Sequence, residues 1–120
     1  MGRPATLLEG LCLHALSLGA HSIEVAYKDS RECVFARKDG ASIRIANYRS
    51  SGADGKELRA NLYAAAKKPV RTVLDGQVSI IRVRIFEGFG EDAFEVSIDP
   101  APKLDVSIPP AFIAKQGQYL

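Results

Sequence analysis

The chain has no tryptophan, a single methionine and only two cysteines in 120 residues. Two cysteines are too few for the disulfide framework of a small secreted domain. Cys12 and Cys33 therefore read as buried, reduced thiols that pack like small hydrophobes, and the chain reads as cytoplasmic. No apolar run approaches the roughly 18 residues that a membrane-spanning helix needs. Leu7-Leu8 is soon followed by Glu9 and His14, the pattern of an amphipathic helix and not of a signal peptide. Charge of one sign is also missing. Sixteen Lys and Arg stand against 14 Asp and Glu, a net charge of +2, without the dense basic footprint of a nucleic-acid-binding domain. There is no internal repeat and no self-sufficient catalytic motif.

What is present is ordinary globular material. Hydrophobic residues make up 47% and charged residues 25%, and the length suits one domain with one core. Leu7, Leu8, Leu11, Cys12, Ala15 and Leu18 recur at helical spacing, which predicts a helix over 5–18, with Gly19 as its left-handed C-cap. Ile23, Val25 and Tyr27 alternate with polar neighbours as a strand. Asp29-Ser30 turns the chain. A second strand covers 32–37, and Asp39-Gly40 is a tight-hairpin signal. A third strand covers 42–47, with Ile43 and Ile45 facing in and Arg44 facing out. Ser51 or Asp54 can cap a helix over 54–67, which Pro69 ends. Val70–Leu74 is a short strand candidate. Asp75-Gly76 is another hairpin signal. A long strand over 77–86 follows, in which the apolar alternation slips, so a bulge is expected near Ile80-Ile81. Phe94, Val96 and Ile98 form the last strand. The expectation is an α+β fold, with two helices on a mainly antiparallel sheet of five to six strands in the order α-β-β-β-α-(β)-β-β. The domain covers 1–99. Four of the six prolines fall in 100–120, read as an extended tail packed through Leu104, Val106 and Ile108.

Few residues suggest chemistry. Gly55-Lys56 resembles the end of a phosphate loop, but Ser50 stands where that loop has its first glycine and Glu57 where it has its magnesium-binding hydroxyl. The 87–92 loop carries three carboxylates without calcium-hand spacing, and Gly88-Phe89-Gly90 opens no helix, as a dinucleotide fingerprint must. Cys12, His14, His21 and Cys33 match no zinc pattern. No catalytic residue, metal or cofactor is assigned. The arginines remain. Arg82 and Arg84 share one face of the longest strand, and Arg44 faces out from another. Such a row either grips phosphate or carboxylate in a bidentate way or pairs across strands with residues such as Glu24 and Glu95.

Several short matches fall in one order: Gly19-Ala20-His21-Ser22-Ile23-Glu24-Val25, then Arg37-Lys38-Asp39-Gly40, then Asp75-Gly76-Gln77 leading into Ser79-Ile80-Ile81-Arg82-Val83-Arg84, then Gly90-Glu91. In this order they resemble the PAS-like domain that precedes the motor domain of type II secretion and type IV pilus ATPases. The likeness covers about residues 7–98. Ser22 and Glu24 stand where that family has Asp and His, and the motor domain itself is absent. The resemblance implies a non-enzymatic module that makes subunit contacts and lends arginines to a neighbour, with Arg82 and Arg37 at matching positions. The partner would be a motor ATPase or a second copy of the chain. Leu11 to Val25 also resembles the start of mismatch-repair and gyrase-type ATPases, but Gly10 and His14 stand where those enzymes carry their catalytic Glu and magnesium-binding Asn. The alternative to a protein-interaction module is a domain that binds a small anion or nucleotide through Arg82, Arg84, Arg37 and Arg44.

Overall fold

The turns of the sheet are set locally. At Asp29-Ser30, Asp39-Gly40 and Asp75-Gly76 both central residues have positive φ, between 51° and 80°. That is the hairpin geometry whose twist matches the flanking strands. Ser30 holds φ 63° without being glycine, and its carbonyl accepts a hydrogen bond from the Ser50 N–H at 2.9 Å.

The computed structural model describes residues 5–87 and 92–102. The elements run α1 (Leu7–Ser17), β1 (Ser22–Lys28), β2 (Arg31–Lys38), β3 (Ala41–Arg49), α2 (Ala53–Lys67), β4 (Val70–Leu74), β5 (Gln77–Phe86) and β6 (Ala93–Pro100). This is the expected α+β fold, with the bracketed strand present. The six strands form one antiparallel sheet in the order β3-β2-β1-β6-β5-β4. Each triplet of strands is hairpin-linked, and the two triplets meet only where β1 pairs with β6.

Both helices end as their residues dictate. Thr6 caps α1 by accepting from the Glu9 N–H at 3.1 Å. At the other end Gly19 takes φ 81°, so that the Ala20 and Gly19 N–H groups bond back to the Ala15 and Leu16 carbonyls, a closure that favours glycine. The N-cap of α2 is Gly52, with no side-chain cap bond, in place of the expected Ser51 or Asp54. The first turn of α2 lies hard against the end of β3: a Cβ on Gly55 would sit 2.2 Å from the Arg49 carbonyl oxygen.

The core lies between the helices and one face of the sheet. Leu8, Leu11, Cys12 and Ala15 of α1 and Leu58, Leu62 and Ala65 of α2 pack on Ile23, Val25, Val34, Ala36, Ile81, Val83, Phe94, Val96 and Ile98. Each fully buried large apolar side chain contributes about 1.5–3 kcal/mol. The helices touch as well, the Leu8 N–H donating to Asn61 Oδ1 at 3.2 Å. Burial pushes the Cys12 thiol up to about 12, with the Glu9 charge as the lesser cause, so Cys12 is an inert filler.

Two details of strand register differ from expectation. β5 pairs with β4 and β6 without a shift, so there is no bulge at Ile80-Ile81. Ile81 and Val83 face the helices, while Val78 and Ile80 lie on the opposite face, where Val78 is exposed. The register shift falls instead between Val34 and Phe35 and leaves Ile45 as the extra residue of β3. Ile43, expected inside, is exposed on this edge strand. β6 runs to Pro100, and the Ala101 N–H bonds to the Val78 carbonyl at 2.9 Å. The expected tail from 103 onward, its packing through Leu104, Val106 and Ile108, and the Gly88–Glu91 stretch lie outside the described residues.

Candidate partner interface on the open sheet face

Strand alternation sends every second side chain away from the helices, and on that side no described element covers the sheet. The register aligns two rows across five strands. One runs Arg82, Ser97, Ser22, Arg37, Ser42; the next runs Arg84, Glu95, Glu24, Phe35, Arg44. All four arginines singled out from the sequence therefore share one face, in two adjacent rows.

Three of them are already engaged. Arg37 Nη1 donates to Glu24 Oε1 at 3.0 Å, Arg84 Nη1 lies 3.5 Å from Glu95 Oε1, and Arg82 Nη1 lies 3.8 Å from Asp99 Oδ2. The Arg84 guanidinium also sits 5.0 Å from the centre of the Phe86 ring. These pairs are solvated, with Arg84 73% and Arg82 53% exposed. Exposed pairs of this kind are worth about 0–1 kcal/mol, so they orient the arginines more than they hold the fold. Arg44 makes no ion pair among the described residues. A depression of about 310 Å³ opens beside the rows, lined by Glu24, Arg37, Phe86, Ala93 and Glu95 over Ile23 and Phe94.

The helix side holds a polar cluster that sequence reasoning missed. Glu32 of β2 is fully buried. Ser50 Oγ donates to its Oε2 at 2.5 Å, and Arg59 Nη1 of α2 lies 3.6 Å from its Oε1. Arg59 Nη2 donates to the Tyr63 hydroxyl at 3.1 Å, which donates to Asp92 Oδ2 at 2.6 Å. The Arg59 guanidinium also lies 5.6 Å and 5.9 Å from the ring centres of Tyr63 and Phe94, themselves packed edge to face. The only sequence signal was a glutamate at a core-facing position of a strand. Its partner lies on the next helix, beyond β3, and nothing local announces it.

Other motifs are separated. Cys12 lies among the helix-side core residues, while Cys33 is buried on the opposite face beside Asn47. Among the described residues no three His, Cys, Asp or Glu side chains gather in a way that could hold a metal ion, and no helix is long and apolar enough to cross a membrane. No family model matches the chain, and no curated protein matches it.

Proposed function

We propose that the chain is a non-enzymatic protein-interaction module that presents the open face of its sheet to a partner, in the manner of the PAS-like domain it resembles. The observation that carries this reading is the asymmetry of the sheet: one face is filled by both helices, while the other leaves Arg37, Arg44, Arg82, Arg84 and Phe86 exposed. Arginine and aromatic side chains on a large uncovered face are the usual anchors of protein recognition. The resemblance points to a motor ATPase or a second copy of the chain as the partner.

A second reading, a small anion or nucleotide held by the same arginines, draws on the depression beside Arg37. Glu24 and Glu95 line that depression, so an anion there would meet two carboxylates, and we rank it second. One titration separates the two. Isotope-labelled chain is mixed in turn with a secretion- or pilus-class motor ATPase, with excess unlabelled chain, and with ATP. Shifts at Ser22, Glu95 and Ser97 caused by protein are expected. Shifts confined to α1 and α2 would overturn the reading, and shifts around Arg37 and Phe86 caused by ATP alone would replace it with the second.

A further inference from the structure

The open face is not evenly charged. The register places Lys28, Arg31, Arg37, Arg44, Arg49, Arg71, Arg82 and Arg84 on it, against Glu24, Glu95 and Asp99. Eight cations against three carboxylates leave an excess of five on this face. The whole chain has an excess of only two, so the rest carries three more negative charges than positive. All three carboxylates are occupied, by Arg37, Arg84 and Arg82.

Most of the surplus collects at one corner. Lys28 is the register partner of Arg31, and Arg31 of Arg49. Three cations thus form one row across the ends of β1, β2 and β3. With strands about 4.8 Å apart, the row spans ~10 Å. All three are exposed. None makes an ion pair among the described residues, not even with Asp29 in the adjoining turn. Like charges directly opposed on a sheet are destabilising, so the row costs the fold something. The next row inward, Ala26, Cys33 and Asn47, is uncharged. Asn47 Oδ1 accepts from Arg31 Nε, which holds the guanidinium and leaves its two Nη groups for a ligand.

We propose that this corner anchors an acidic segment of a protein partner, an extended stretch with carboxylates at alternate positions. The proposal rests on the reading of the open face as an interaction surface and names the chemistry that face selects. Carboxylates at alternate positions of an extended chain lie ~7 Å apart, a spacing that fits within the row, and a planar guanidinium grips each in a bidentate way. A nucleic acid fits less well. Its bases need exposed rings to stack on, whereas Phe35 is half-buried, Tyr27 belongs to the helix-side register of β1, and Phe86, the exposed ring of this face, already carries the Arg84 guanidinium 5.0 Å from its centre. A phosphate backbone continuing across the face would also run over Glu24 and Glu95.

The test is fluorescence anisotropy with a labelled hexaglutamate peptide, and with a labelled oligothymidine of similar charge, on the full chain. Replacing both Lys28→Gln and Arg49→Gln should weaken peptide binding about tenfold or more, while Lys67→Gln with Lys68→Gln, an equal loss of charge at the exposed end of α2, changes it by less than about twofold. The charge-conserving Lys28→Arg, which leaves both guanidiniums of the row in place, should keep binding. Removing the like-charge row should leave the melting temperature equal to the parent's or higher. Loss in a separate Arg82→Gln with Arg84→Gln variant, but not in the Lys28 and Arg49 one, would sink the corner and leave the open face standing as an interface. Tighter binding of the oligonucleotide, or no binding of the peptide at low salt, would overturn the acidic segment. Peptide-induced shifts on the helices would sink both readings.

Discussion

On the helix side of the sheet a single strand carboxylate, Glu32, is sealed from water beside a serine hydroxyl and an arginine on which two aromatic rings pack. On the other side every carboxylate of the strands is solvated, and cations outnumber them. The same chemical pair, Arg with Glu, therefore does opposite things across the thickness of one sheet. In the dry layer its geometry is dictated by packing, and removing one partner strands a charge. In the wet layer the pair is cheap to make and to break.

The comparison can be broken at three depths. Arg59→Ala should be the most damaging change, at about 3–5 kcal/mol, because it leaves the Glu32 carboxylate buried without its counter-charge. A denaturation midpoint near the parent's would show that Glu32 tolerates the loss of Arg59 and that the two faces are alike in how they hold their carboxylates. Next comes Leu11→Ala in α1, a core truncation expected to cost about 2–5 kcal/mol; a variant that unfolds like the parent would mean that α1 does not seal the sheet. The smallest effect belongs to Arg82→Ala with Arg84→Ala, within about 0.5 kcal/mol per substitution. A large drop in melting temperature there would make these arginines structural and remove them as a binding surface.

Much of this organisation was legible in the residues. The Asp-Gly pairs announce two hairpins, Gly19 announces the end of α1, and the spacing of Leu58, Leu62 and Ala65 gives the buried stripe of α2. Strand parity alone puts Arg82 beside Arg84. What could not be read follows from physics that acts at a distance. The alternation of β5 looked faulty only because Val78 and Ile80 are apolar residues on the open face, where apolarity is tolerated and needs no bulge. The true irregularity at Val34-Phe35 was hidden because Ile43 and Ile45 share a parity that the shift disrupts. Gly52 gave no capping signal, having no side chain to offer. The Lys28-Arg31-Arg49 row was invisible because those residues come together only through two strand pairings, one of them past that shift. The partner of Glu32 required knowing where α2 crosses the sheet.

The junction of β1 with β6 has a consequence for how the chain reaches this state. Every other pairing joins strands consecutive in the chain, but this one joins residues as distant in sequence as Ser22 and Ser97. Each helix also reaches into the other half: Glu9 of α1 accepts from Thr72 of β4 at 2.9 Å, and Arg59 of α2 lies by Glu32 of β2. The hairpins are local, whereas pairing β1 with β6 has to close a long loop, the kind of contact that slows folding. Neither half finishes its core without the other, so the molecule folds as one cooperative unit. A nick in the Ser50-Ser51-Gly52 loop would yield two fragments that complement each other and do not fold apart.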